Sequence, residues 1–323
     1  MEPGAPIPVP ARPPVPARPP RWLLATLLFA TTLVTTTVLG TGYYLGSRTD
    51  VVSALPLWLH PEAVRTVLGR ADLLGIGLRF SLPALFVLLC HELGHYLACR
   101  WYRLPATLPY FLPAPVGIGT FGAFIRIRAP LRGKRELFDV AVAGPLAGFA
   151  ALLPILAYGI ARSTPVPLER LPDLDTSPAY LVLPGQSLLQ HLLVRLFHGP
   201  LPAGWILDLH PFALAGWIGL FATMLNLIPL GQLDGGHLLY AVAGRRQRQA
   251  ALVLWLLLVL AGIHWPGWLF WCAVTLIMGL RHPPVVDEAT PLDTPRRHLA
   301  LVTLAIFLLS FMPVPIEIVP VAF

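Results

Sequence analysis

Apolar residues in this chain gather into long unbroken runs, separated by short stretches rich in charge, proline or glycine. A helix crossing a hydrocarbon core of about 30 Å needs roughly 20 mostly apolar residues. Runs of this kind predict spans at 22–45, 75–99, 138–161, 211–230, 250–264, 267–280 and 299–316. The fifth and sixth are short and are joined by Trp265-Pro266-Gly267, so they read as a helical hairpin at the limit of what can cross. The expected fold is an all-α polytopic membrane protein with about six to seven transmembrane helices.

Three other stretches break this pattern. Residues 60–72 and 186–198 mix leucine and valine with charges at helical spacing, which predicts helices lying on the membrane surface. Residues 104–130 are apolar but so rich in proline and glycine that a regular helix is excluded. Within them Phe124-Ile125-Arg126-Ile127-Arg128 alternates like a strand. Irregular backbone at membrane depth survives only against protein or a wet cavity, so a small β element at the membrane edge, beside the functional region, is expected.

Composition agrees with a membrane setting. Of 323 residues, 56% are apolar and 12% charged, with a mean hydropathy of +0.69; soluble domains carry about 25% charged residues. The net charge of +7 does not call for nucleic acid. Basic residues concentrate in 1–21, 100–137, 244–249 and 281–298, and alternation through seven spans puts those segments on one side. The positive-inside rule makes that side the cytoplasm of a bacterial-type cell membrane, with the N-terminus inside. Residues 1–21 repeat VPARPP at 9–14 and 15–20 and read as a disordered proline-rich tail. The apolar run that follows is too long for a signal peptide. Residues 22–323 read as one membrane-embedded domain with its core at about 75–245. The three cysteines, Cys90, Cys99 and Cys272, form no disulfide framework.

Chemistry enters with His91-Glu92-Leu93-Gly94-His95. On a helix, residues i and i+4 share a face, so both imidazoles reach one Zn²⁺ while Glu92 sits beside its water. Three ionisable groups inside an apolar span are costly and imply function. A catalytic zinc has three protein ligands and an open position. Asp234, in the stretch from Asn226 to His237, is the best third ligand, because Pro229 and Gly231 break the helix there and let the carboxylate turn inward. Asp139 is the other intramembrane acid, near the end of its span, where it caps a helix or ligates. His237 is a further candidate ligand or a satisfied core histidine. Zinc lowers the pKa of its water to about 7, and Glu92 is placed to take the proton. Asn226 either donates to the developing oxyanion or ties down the broken helix.

These motifs resemble the site-2 protease family of intramembrane zinc metalloproteases, which pairs HExxH with a distant NxxPxxxxDG. Both are intact here, as His91–His95 and Asn226–Gly235. The phrase from His210 to His237 is similar to the bacterial and plastid branch named for a plant gravitropism and yellow-green phenotype. The stretch from Asp139 to Gly148 resembles that family's second core helix, and Gly144 and Gly148 also suit close helix packing. The resemblance covers about 75–298. It implies a three-helix core, a membrane-edge sheet, His91, His95 and Asp234 as ligands, Glu92 as catalytic base, and transmembrane proteins as substrates. The chain departs from many members in having no room for a PDZ domain. A metal transporter and a non-proteolytic membrane metal-binding protein are the competing readings.

Overall fold

The computed structural model describes residues 21–46, 61–115, 117–168 and 180–320; the proline-rich stretch at 1–20 lies outside the described residues. The chain is mostly helical. Three helices are long and apolar enough to cross a membrane: α1 (Trp22–Gly46), α3 (Ala71–Trp101) and α4 (Lys134–Ala161). The other expected spans form shorter helices, α6 (Pro211–Leu227), α8 (Gln247–Ala261), α9 (Gly267–Met278) and α10 (Thr294–Ser310). At 1.5 Å per residue, α8 and α9 reach only about 22 and 18 Å. Their surface is nonetheless lipid-like. Leu256, Leu260 and Phe270 are exposed, and Ile263 and Ile277 are 80% and 88% exposed.

Local chemistry sets several helix ends. The Asp293 carboxylate accepts the Arg296 N–H at 3.2 Å and starts α10, five residues earlier than hydropathy suggests. Helix α10 ends at Ser310, ahead of Pro313. Lys134 opens α4 because Glu136, in its first turn, reaches back to accept the Arg132 N–H at 2.6 Å. Both surface helices form: α2 (Pro61–Gly69) and α5 (Leu188–His198). In α5 the Ser187 hydroxyl caps the Gln190 N–H, Leu189 and Val194 face the core, and Leu188, Leu192 and Leu196 remain exposed. That is the division expected of a helix at an apolar–polar boundary.

Helices α3, α4 and α6 pack against one another, and α1 covers α3. Small residues permit the close approach. A Cβ at Gly94 would stand 2.3 Å from the Ala143 carbonyl oxygen, and one at Gly159 would stand 2.1 Å from the Ala213 nitrogen. Between α1 and α3, the buried hydroxyls of Thr37 and Ser81 pair at 2.7 Å, which satisfies both away from water.

The proline- and glycine-rich stretch folds as a hairpin. Strand β1 (Tyr110–Pro113) pairs antiparallel with β2 (Thr120–Phe124). It lies on α1, where the Thr35 hydroxyl donates to the Gly119 carbonyl at 2.7 Å and Phe29 meets Phe111 edge-on. Pairing continues irregularly beyond β2. Thr107 N–H donates to Arg126 O at 3.1 Å and Arg128 N–H to Pro105 O at 2.8 Å. The alternation at Phe124–Arg128 is therefore real, although the regular strand sits earlier. Ile125 and Ile127 pack inward on Cys99, Leu104 and Val140. Two further antiparallel pairs, β3 (Thr164–Pro167) with β5 (Trp205–Asp208) and β4 (Tyr180–Pro184) with β6 (Ile316–Pro320), were not foreseen. Each joins segments about 40 or more than 100 residues apart, so neither has a local sequence signal.

Candidate metal centre

Helix α3 carries His91, Glu92 and His95, all buried. The second half of the site comes from a break in the chain. Pro229 lacks an N–H and restricts the residue before it; Ile228 accordingly leaves the helix at φ −55°, ψ 123°. Gly231 follows at φ +53°, a conformation that L side chains rarely adopt. Helix α7 (Asp234–Ala243) then begins at Asp234. Gly235 presses on the end of α6, where a Cβ would meet the Leu227 oxygen at 2.1 Å, and Gly236 presses on the break itself, where a Cβ would meet the Gly231 oxygen at 2.4 Å. The break thus delivers the Asp234 carboxylate to the histidines.

The distances describe a metal-sized cluster. Asp234 Oδ2 lies 3.2 Å from His91 Nε2 and 3.3 Å from His95 Nε2, and the two imidazole nitrogens are 3.1 Å apart. Tetrahedral zinc with bonds of about 2.0–2.1 Å sets its ligand atoms roughly 3.3–3.4 Å apart, so the donor set fits that ion. His95 Nδ1–H donates to the Val140 carbonyl at 2.7 Å. A carbonyl only accepts, so this bond fixes the tautomer and leaves the Nε2 lone pair facing the cluster. Helix α4 makes room for both rings. A Cβ at Gly144 would stand 2.1 Å from His95 Nε2, and one at Gly148 would stand 3.1 Å from His91 Cβ.

Around the cluster is a cavity of about 260 Å³, lined by Glu92, Asn226, Gln232 and His237 and, from the hairpin side, Ile125 and Ile127. The Asn226 amide nitrogen is 3.4 Å from His91 Nε2. The backbone of Ile125 interacts with the Glu92 carboxylate.

Two candidates lie elsewhere. Asp139 neither caps a helix nor joins the cluster. Arg296 donates to it through two nitrogens at 2.8 and 2.5 Å, and the Tyr102 hydroxyl also bonds to it. Asp139 thereby ties α4 to the start of α10 and the end of α3. His237 lines the cavity but lies outside the three-residue cluster. Its Nδ1 pairs with His282 Nε2 at 2.6 Å, and His282 Nδ1–H donates to the Pro283 carbonyl at 2.5 Å. Tyr240 stacks on the His282 ring. Burial holds the His282 imidazole below its ordinary pKa, which favours this neutral arrangement.

Residues 79–261 match the family described as Peptidase family M50. The chain belongs to this family. It is 33% identical over 233 residues to "Probable zinc metalloprotease EGY1, chloroplastic" of Arabidopsis thaliana, covering 71% of this chain and 41% of that protein. It is 32% identical over 244 residues to "Probable zinc metalloprotease EGY2, chloroplastic" of Oryza sativa subsp. indica, covering 75% and 43% respectively. With the Arabidopsis thaliana EGY2 protein it shares 31% identity over 252 residues, covering 76% and 43%. The chain spans about two fifths of the length of these relatives.

The M50 match begins in α3 and runs into α8, so it contains both halves of the cluster. Sequence reasoning did not find the roles of Val140 or of His282. Val140 acts through its carbonyl, which every residue has. His282 meets His237 across 45 residues of chain, and the basic loop that holds it reads simply as an interhelical connection.

Proposed function

We propose that this chain is an intramembrane zinc endopeptidase that cleaves transmembrane segments of other membrane proteins. The observation that carries the reading is the convergence of His91, His95 and Asp234 within 4.8 Å, with Glu92 buried beside them. His91, His95 and Asp234 would hold the ion. Zinc, when bound, supplies Lewis-acid polarisation of a scissile carbonyl and acidifies a water toward a pKa of about 7. Glu92 takes the proton from the attacking water and returns it to the leaving amine. The Asn226 amide, beside His91, donates to the oxygen on which negative charge develops. A permeation path would need further ligands along several helices. Among the described residues the metal-capable groups of three form one cluster, which favours the enzyme over a transporter.

A peptide bond inside a helix is shielded by its own hydrogen bonds, so a substrate must unwind and find new backbone partners. Arg126 and Arg128 point their backbone groups at the 105–107 segment. By the alternation of an antiparallel pair, the N–H groups of Ile125 and Ile127 face the other way, on the side of Glu92. We infer that an unwound substrate adds there as a strand. A single assay tests both ideas: turnover of a single-pass protein by the purified chain in vesicles. Wild type is expected to cut within the membrane segment and Glu92→Gln to leave it whole. Ile127→Pro, which deletes an outward donor, is expected to keep its zinc and lose most turnover, whereas Ile127→Ala keeps most of it. Cutting only outside the membrane segment would sink the intramembrane reading; normal turnover by Ile127→Pro would sink strand addition.

The basic segments support a cell-membrane protein with its N-terminus and the mouth of the site on the cytoplasmic side. Arg246 lies exposed at the start of α8, and Arg195 is exposed on α5. In a cysteine-free background, an impermeant thiol reagent is expected to reach Arg246→Cys only from the cytoplasmic face and Arg195→Cys only from the other. The opposite pattern would invert the topology.

A further inference from the structure

We propose that the α8–α9 side of the molecule faces a bilayer thinned to about 20 Å, so that its lipid partners are phospholipids with short acyl chains. The proposal goes beyond proteolysis and rests only on α3 and α4 being membrane spans. Those two helices run about 46 and 42 Å, roughly twice the length of α8 and α9. Neighbours fix the depth that the short hairpin reaches. At its turn, the Trp268 indole N–H donates to Pro313 O at 2.8 Å, and the adjoining Met312 N–H lies 3.1 Å from Met224 Sδ. At its base, the Gln247 and Gln232 side-chain amides donate to Leu280 O and Met278 O at 3.1 and 3.2 Å. Helix α6 starts at Pro211, where Ala213 packs on Gly159 at the far end of α4. Met224 stands about 20 Å along α6 from that start and within one turn of Asn226, which touches His91. The hairpin therefore ends about level with the metal centre, well short of the far ends of α4 and α6.

Helix α10 stops at the same level. Its last residue is Ser310, and the chain continues through Met312 and Pro313 into β6. Among the described residues β6 pairs with β4 alone, as a two-stranded sheet, and such a sheet has two open edges. Open edges do not occur against lipid within the hydrocarbon. Glu317 in β6 is also exposed, and an exposed carboxylate is costly at that depth. The sheet therefore lies outside the hydrocarbon, which on this side ends near Pro313 and the α8–α9 turn. Trp265 in that turn is of the type found at headgroup level, and His264 beside it is exposed. The side face of the hairpin suits acyl chains rather than another helix. Its exposed positions from Leu252 to Leu260 are all leucine or valine, and Leu269, Phe270 and Ile277 are exposed on α9. Helices that associate in lipid meet instead through small residues.

The test uses the full chain, free of cysteine, in vesicles of dimyristoleoyl or dierucoyl phosphatidylcholine, whose acyl chains are short and long respectively. Single cysteines are placed at the turn, as Ile263→Cys and His264→Cys, and on α5, as Arg195→Cys. Unchanged zinc content shows that each variant is folded. With the short-chain lipid, an impermeant maleimide is expected to reach both turn positions from the same face as Arg195→Cys. With the long-chain lipid, the turn is expected to react about tenfold or more slowly, while Arg195→Cys reacts alike in both. Silence of both turn positions in both lipids overturns the proposal, because the turn then ends inside a bilayer of ordinary depth. Equal rates in the two lipids overturn it as well, since acyl length then does not govern the exposure of the turn. Ile277→Cys, on the exposed face of α9, tests the occupant. A disulfide to a second copy at high lipid dilution overturns lipid as the partner of this face, whereas a thiol that stays single supports it.

Discussion

Replacing Glu92 with glutamine is expected to leave zinc bound and to remove cleavage, whereas alanine at His91, His95 or Asp234 removes the metal itself. The split follows from where the atoms stand. Three donor atoms lie within 4.8 Å of one another, and Glu92 is not one of them. Glutamine preserves the shape of the side chain and deletes only its basicity. Loss of a positioned general base costs about 10²–10⁴-fold in rate, so turnover should fall at least that far. An alanine at a ligand leaves two donors and an open side of the cluster. Zinc per chain, measured by elemental analysis on the same samples used for turnover, separates the cases. Full zinc in Asp234→Ala would take Asp234 out of the ligand set. Normal cleavage by Glu92→Gln would take Glu92 out of the mechanism.

Gly144→Ala is expected to be nearly as damaging, although it replaces no ligand. By helix propensity alone this change should help, since alanine is favoured over glycine by about 1 kcal/mol inside a helix. Geometry opposes it. The new Cβ would stand 2.1 Å from His95 Nε2, 2.5 Å from two other ring atoms. The ring has little freedom to retreat, because its Nδ1 is bonded to the Val140 carbonyl one turn away on the same helix. A methyl group therefore displaces the metal-facing nitrogen, and most zinc and activity should go with it. Gly148→Ala should be milder, since its nearest atom, His91 Cβ, is 3.1 Å away. Gly75→Ala serves as the control, with nothing within 4 Å of its Cβ on the same helix as the histidines. The expected order of zinc content is Gly75→Ala above Gly148→Ala above Gly144→Ala. Wild-type zinc and turnover in Gly144→Ala would mean that the α3–α4 contact is looser than the geometry requires.

The helical frame and the chemistry were legible in the sequence because both depend on local spacing. A span is a run of apolar residues, and two histidines four apart share a helix face whatever surrounds them. The same holds for Pro229 and Gly231, whose backbone restrictions end α6 in any context. Full-length crossing was less legible. Apolar character marked α8 and α9 as a hairpin at the limit of what can cross, and their 15 and 12 residues are shorter than a full crossing needs, since length is decided by where the flanking turns and caps form.

Other features had no local signal. Asp139 looked like an acid waiting for a role within its helix, and its partner turned out to be Arg296, 157 residues away. Strands β4 and β6, more than 100 residues apart in the chain, meet only when the helices between them have packed. The residue types needed for a zinc site were thus determined by the sequence alone, as was the break that carries Asp234. Only the tertiary structure decided that α4 would offer glycines where the imidazoles stand, a carbonyl to fix the His95 tautomer, and a strand edge beside Glu92. Those depend on how helices and hairpin approach one another in space, a contact between distant segments that no periodicity along the chain encodes.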